Sequence, residues 1–364
     1  MLKGIMNQQL AKVGAKARAL VLGQSLSVGD AVAKAIDELA NSSEVFAEPR
    51  LKTDAVAALS GLGPLEPFMQ DPQVEEIWMN KPNQLFVHRQ GKTESHDLDF
   101  SALEQRVVID RMLRSVGRRL DRTSPFVDAP LADGSRLHVV IPDITRAELS
   151  FNIRRYIQNR ATLEALRESG TLTAEQVALL KNALMERQTI VVSGATAAGK
   201  TTMLSALLRE LPTGERIVSV EDTFELALSN PDWVAMQTRP PSLEGSGEID
   251  LRRLIRESLR MRPGWLVVGE VRGAEAIELL VALNSGIPAL CTVHANSAED
   301  AFTKLQTLPL LAGVNITVEF LAQVTASTVG LFIHCAIGVD GIRRVDHMAR
   351  ALFESGKARF EKVA

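Results

Sequence analysis

Thr189-Ile190-Val191-Val192-Ser193-Gly194-Ala195-Thr196-Ala197-Ala198-Gly199-Lys200-Thr201-Thr202 is the stretch on which the reading of this chain turns. Thr189–Val192 is a short apolar, β-branched run, the pattern of a strand buried on both faces. It leads into Gly194-Ala195-Thr196-Ala197-Ala198-Gly199-Lys200-Thr201, and a helical run over Thr202–Arg209 follows. Strand, glycine loop and helix in that order make a cradle for phosphate. Gly194 and Gly199 accept backbone angles that turn successive N–H groups inward, and the helix brings the positive end of its dipole to the same point. The pattern predicts an ATP-binding loop made of Gly194, Ala195, Thr196, Ala197, Ala198, Gly199, Lys200, Thr201 and Thr202. In it Lys200 reaches the β- and γ-phosphates and Thr201 ligates Mg2+.

Such a loop needs an acid at the end of another apolar strand to act on the metal and to poise water. Two stretches qualify, Leu266-Val267-Val268-Gly269-Glu270 and Val218-Ser219-Val220-Glu221-Asp222. Both acids stand at C-terminal strand ends, where α/β sheets bind their ligands. Glu270 is the expected magnesium contact, made through water, and the residue that orients the attacking water; Glu221 is the alternative base. His294 closes the apolar run Leu290–Val293 and is expected on the same edge, reporting nucleotide state through a hydrogen bond. Arg239, Arg252, Arg253, Arg256, Arg260 and Arg262 precede the Glu270 strand and Arg272 follows it. A solvated face, a phosphate clamp and an inter-subunit contact all remain open for them.

Composition bounds the rest. At 364 residues, with 46% hydrophobic and 23% charged side chains, the chain reads as folded and of two domains. Forty-one basic against forty-four acidic residues leave a net charge of −3, and aromatics are only 4%. Without a global positive field or many stacking platforms, no stable nucleic-acid complex is expected. Cys291 and Cys335 are too few for a disulfide framework, no apolar run reaches the ~20 residues that span a bilayer, and Lys3, Lys12, Lys16 and Arg18 are scattered unlike a signal peptide. The expectation is a cytoplasmic chain.

The fold class read from the pattern is α/β. Residues 1–50 form an N-terminal helical segment, with a basic amphipathic helix over 2–22 that packs on its own domain or docks to a membrane-bound partner or lipid, and a second helix over 28–41. Residues 51–155 read as a smaller mixed α/β domain with strand-like runs at Glu76–Met79, Gln84–His88 and Leu137–Ile141. A linker is placed at 156–165. Over 166–364, a helix at Ala174–Arg187 and apolar strands at Thr189–Val192, Ile217–Val220, Trp265–Val268 and Ala289–Val293 suggest a mostly parallel sheet.

Four stations in this order, Gly194–Thr201, Glu221-Asp222, Gly269-Glu270-Val271-Arg272-Gly273 and Thr292-Val293-His294-Ala295-Asn296, resemble the Walker A, Asp-box, Walker B and His-box motifs of the secretion-ATPase superfamily of type II and type IV secretion, pilus assembly and conjugation. Within it, Gly61-Leu62-Gly63-Pro64-Leu65-Glu66-Pro67, Asp133-Gly134-Ser135-Arg136 and Leu259-Arg260-Met261-Arg262-Pro263 look most like the CpaF-type motor of tight-adherence (Flp) pili. The resemblance covers about residues 55–330. It implies a RecA-like P-loop motor domain, a ring-shaped homo-hexamer, and an inner-membrane platform protein as partner, with the motor peripheral at the inner face of the cytoplasmic membrane. It also implies that Arg136 and Arg154, the latter in Asn152-Ile153-Arg154-Arg155, reach the γ-phosphate from the N-terminal domain. A conjugation or nucleic-acid-translocating RecA-like motor is the alternative. The Ala-Thr-Ala-Ala between the two glycines departs from relatives, which often have another glycine and a serine there. That leaves this loop fewer flexible positions.

Overall fold

The computed structural model describes residues 9–10, 12–17, 19–20, 28–41, 51–52, 55–56, 62–89, 91–155, 161–242, 245–313, 315–354 and 357–364. The chain divides into two compact units, Met1–Ile157 and Gln158–Ala364.

In the first unit the described residues between 9 and 20 are helical, and α1 (Val28–Asn41) follows. Val13, Ala17 and Leu20 pack on Ala31, Val32, Ala35 and Ile36 of α1, and Lys16 Nζ pairs with Glu38 at 2.8 Å. The described part of the expected 2–22 helix thus buries its apolar stripe against this chain. Lys3 and Arg18 lie outside the described residues.

Next come α2 (Glu66–Gln70), β1 (Val74–Lys81), β2 (Gln84–Arg89), β3 (Lys92–Asp97), α3 (Ala102–Ser115), β4 (Phe126–Pro130), β5 (Arg136–Val140) and β6 (Ser150–Arg154). A capping box starts α3: the Ser101 hydroxyl accepts from Glu104 N, and the Glu104 carboxylate accepts from Ser101 N. The strands form one sheet in the order β3-β2-β1-β6-β5-β4, antiparallel at every pairing. Val108, Ile109, Met112 and Leu113 of α3 pack against Ile77, Leu85, Leu137 and Ile153. Alternation along β5 then turns Arg136 and His138 to the exposed side.

The second unit opens with α4 (Leu163–Glu168), capped by the Thr162 hydroxyl on Ala165 N. The expected linker at 156–165 is therefore helical from Leu163, and 156–160 lie outside the described residues. There follow α5 (Ala174–Met185), β7 (Thr189–Gly194), α6 (Lys200–Arg209), β8 (Ile217–Glu221), β9 (Trp233–Gln237), α7 (Leu251–Ser258), β10 (Trp265–Val271), α8 (Ala276–Asn284), β11 (Ala289–Val293), α9 (Ala298–Thr307), α10 (Val318–Thr328), β12 (Val329–Ile337), β13 (Arg343–Glu354) and β14 (Lys357–Lys362). The eight strands run in the order β14-β13-β12-β7-β11-β10-β8-β9. From β12 to β9 every pairing is parallel, and β13 and β14 add an antiparallel edge. Every residue of β7, β8 and β11 is buried, which explains their mostly apolar spelling. One hydrophobic cluster covers each face of the sheet, one with Val191, Val268 and Cys291 and the other with Ile190, Val192 and Val267.

β7 lies between β11 and β12, and Gly194 at its end sits opposite Cys335. A Cβ on Gly194 would stand 2.4 Å from the Cys335 carbonyl oxygen, and the residue has φ +152°. Only glycine fits. Gly194→Ala is expected to destabilise the second unit by roughly 2–4 kcal/mol, the range of a forced overlap plus strain. Thermal unfolding of the full chain checks it; a variant melting within a degree of wild type would contradict this packing.

Candidate functional site

The glycine loop leaves β7 at its C-terminal edge and returns as α6. Ala197 has φ +61° and Gly199 has φ +96°, so the backbone reverses hand twice before the helix begins. No side chain caps the start of α6, which leaves its first N–H groups directed at the loop. Beside it, Lys200 Nζ donates to Ala195 O at 3.0 Å and lies 3.2 Å from His294 Nδ1. His294 Nε2 is 2.7 Å from Glu270 Oε1. The other oxygen of Glu270 faces Arg272 Nη2 at 3.3 Å, and Arg272 also pairs with Asp222.

This chain of contacts assigns the His294 tautomer. An ammonium only donates, so Nδ1 accepts from Lys200 and Nε2 carries the proton that it gives to Glu270. Residues from β7–α6, β8, β10 and β11 thus meet on one sheet edge. Lys200, Glu270, His294 and Arg272 are brought together. Arg136 and Arg154 lie in the first unit, directly opposite each other on β5 and β6, and Arg136 pairs with Asp128 at 3.1 Å. Like charges facing across strands are disfavoured unless something anionic offsets them, as Asp128 does for Arg136.

Glu221, weighed as an alternative base, turns inward with 2% exposure. Its Oε2 accepts from Glu225 N at 2.8 Å and Leu226 N at 3.0 Å, which curls the chain after β8 and brings Glu225 Oε2 to 3.1 Å from the Thr201 hydroxyl. Its Oε1 has no hydrogen-bond partner among the described residues. Gly269 makes room for this side chain, since a Cβ there would stand 3.1 Å from Glu221 Cγ. Thr292 Oγ1 donates to Gly269 O at 2.7 Å and ties β11 to β10 just ahead of Glu270.

Sequence reasoning missed Glu225 and Glu275, and named Thr292 only as the first residue of the His294 station, without a role. Glu275 Oε1 accepts from Arg272 N at 2.6 Å and Gly273 N at 2.7 Å, so it shapes the turn that carries Arg272. An acid accepting from the residue two or three positions before it is a local signal that could have found Glu275. The arginine run divides. Arg252 and Arg256 share Glu278 at 2.9 and 2.6 Å, Arg260 faces Glu257, and Arg239 bonds to Gly247 O. Arg272 pairs with Asp222 and Glu270 on the site edge, while Arg252 and Arg256 join α7 to α8 through Glu278.

The family described as Type II/IV secretion system protein matches residues 58–337. The chain belongs to this family. A putative conjugal transfer protein of Mycobacterium tuberculosis is 34% identical over 318 residues, covering 84% of this chain and 88% of the relative. A probable conjugal transfer protein TrbB of Sinorhizobium fredii is 31% identical over 261 residues, covering 70% of this chain and 78% of the relative. Among solved structures, the Legionella pneumophila ATPase DotB aligns over 80% of each chain with a TM-score of 0.56 at 18% identity, a likeness of fold. In this member of the secretion family no helix among the described residues is long and apolar enough to cross a membrane.

Burial pushes the Glu221 carboxyl up to about 7 from its ordinary 4.5, against the pull of the Glu225 and Leu226 N–H groups. An acid raised in the folded state holds its proton there after the unfolded chain has lost it. Its contribution to stability is therefore complete below pH 4.5 and is lost as pH climbs to about 7. Glu221→Gln, which keeps the acceptor for the two N–H groups, should remove a fall of about 3 kcal/mol over that interval. Urea unfolding of both proteins at pH 5 and pH 7.5 checks it; parallel losses in both would exclude this origin.

Proposed function

We propose that this chain is an ATP hydrolase that drives pilus assembly or protein secretion through a type II or type IV apparatus. The observation that carries the reading is the run of contacts Lys200–His294–Glu270–Arg272 beside the uncapped start of α6. Glycine loop, cation, imidazole and carboxylate converge where a triphosphate would lie, on the strand edge that α/β proteins use for ligands. In this reading Gly194–Thr201 is the Walker A loop of a RecA-like motor domain and Gly269-Glu270 its Walker B acid.

Each residue has a task. Lys200 gives up Ala195 O and His294 Nδ1 for the β- and γ-phosphate oxygens, so nucleotide entry frees one nitrogen of His294. His294, still donating to Glu270, then registers whether the γ-phosphate is present. Arg272 and His294 hold the two oxygens of Glu270 and thereby aim it at the attacking water. Magnesium suits the Thr201 hydroxyl and the Glu270 carboxylate because both are hard oxygen donors, and this ion takes one or two protein oxygens beside phosphate. Thr201 would hold it directly and Glu270 through water; when bound it offsets phosphate charge.

Arg136 and Arg154 are the further cations that this reading assigns to the γ-phosphate. The working form is a ring-shaped homo-hexamer, cytoplasmic and peripheral at the inner face of the membrane, pushing on an inner-membrane platform protein. Segments 1–50, 51–155 and 166–364 serve as N-terminal helices, N-terminal domain and motor. The wording Gly61–Pro67 and Asp133–Arg136 supports a CpaF-type role in Flp pili. Relatives named conjugal transfer proteins favour a second reading, a conjugation motor acting on nucleic acid. Single-stranded DNA that raises turnover tenfold at low salt would select it.

Lys200→Ala should lower magnesium-dependent ATP turnover at least 100-fold while circular dichroism and oligomer mass stay unchanged; normal turnover would leave the proposal without a site. Glu270→Gln should lower turnover on the order of 100-fold with nucleotide affinity within about threefold of wild type, the pattern of a residue needed for chemistry and dispensable for binding. Unchanged turnover in that variant would remove Glu270 from the mechanism. Mass measured with and without ATP and magnesium tests the hexamer.

A further inference from the structure

The turn between β12 and β13 stands beside the glycine loop. β12 pairs with β7 as far as Cys335 opposite Gly194, and β13 begins with Arg343 opposite Ile337. Between them Gly338 N donates to Ile342 O at 2.8 Å and Gly341 N to Gly338 O at 2.9 Å. Asp340 Oδ1 accepts from Ile342 N at 3.1 Å, and the two Asp340 oxygens take Arg344 Nη1 and Nη2 at 2.9 and 2.7 Å. The Arg344 guanidinium, and after it the Ile342 N–H, hold the Asp340 carboxyl down to about 2, so the turn keeps its charge pair at any physiological pH.

This self-braced turn directs Arg343 at the loop. Its Nε donates to Ala197 O at 2.8 Å, and its Cδ lies 3.5 Å from where a Cβ on Gly199 would stand. Ala197 is the residue whose backbone most needs support. At φ +61° it adopts the left-handed conformation, in which the alanine β-carbon crowds the following carbonyl and which glycine enters freely. The strain and the brace thus fall on one residue, contributed by segments 146 positions apart.

We propose that Arg343 is a positioning residue for the glycine loop: by holding the Ala197 carbonyl it keeps the loop in a left-handed turn that alanine at this position would otherwise leave. The inference rests on the reading of the loop as a nucleotide site only for its effect on affinity. Its effect on the loop itself stands without nucleotide. Arg343 meets the loop at the Ala197 carbonyl, so it acts through the backbone.

A double-mutant cycle on the full chain decides it, with wild type, Arg343→Ala, Ala197→Gly and the double variant. Hydrogen–deuterium exchange of a peptide covering 194–201 is followed without nucleotide, and binding of a fluorescent ADP analogue with magnesium in parallel. Arg343→Ala should speed exchange in that peptide and weaken ADP about 5–20-fold, with the melting temperature of the chain unchanged. In the Ala197→Gly background the same change should weaken ADP less than twofold, because glycine needs no brace. Arg343→Lys, which keeps a donor, should recover most of the affinity.

Equal losses in both backgrounds would overturn the proposal and make Arg343 a direct contact to the ligand. Unaltered exchange after Arg343→Ala would overturn it as well, showing the bond to be an incidental surface contact. Should wild type bind no nucleotide, the functional reading fails separately, and the exchange measurement still decides the role of Arg343.

Discussion

The close approach of β7 to β12 at Gly194 governs this structure. With 2.4 Å between a hypothetical Cβ and the Cys335 carbonyl oxygen, the strand can come this near its neighbour only without a side chain. That contact sets where the buried strand stops and the loop begins. The following residues then have five positions in which to turn before Lys200 opens α6. Everything polar in the candidate site is arranged around the point so defined.

Parallel pairing does the arranging. Because β7, β8, β10 and β11 run the same way, their C-terminal ends reach a common edge, and the first polar residues after each apolar run are delivered there together. Lys200, Glu221, Glu270 and His294 come from four different strand ends for this reason. Short loop braces then refine the placement: Glu221 curls the segment bearing Glu225, Glu275 shapes the turn bearing Arg272, and Thr292 ties Gly269. A buried acid such as Glu221 is a costly way to brace a loop, which is why its carboxyl rises so far above the usual range.

Much of this was legible in the chain itself. The apolar runs at Thr189–Val192, Ile217–Val220, Trp265–Val268 and Ala289–Val293 lie within strands of the same sheet, because strands buried on both faces are mostly apolar. The 51–155 region was harder. β3 (Lys92–Asp97) is almost wholly exposed and polar, and β4 and β6 are five residues long, so neither periodicity nor run length separated them from loop. The segment 163–165 read as linker because its helix is only six residues long and depends on Leu163 and Leu166 reaching the second unit's core.

The glycine loop, the order of the four stations and the edge to which they belong are legible in the linear chain, since each is written in consecutive residues with a local conformational meaning. Which oxygen meets which proton follows from folding: His294 stands between Lys200 and Glu270, Glu221 faces inward while Glu225 meets Thr201, and Arg343 reaches Ala197. Those contacts join residues as many as 146 positions apart. A hydrogen bond between distant segments imposes no spacing or periodicity on either, and so leaves nothing in the linear chain to be read.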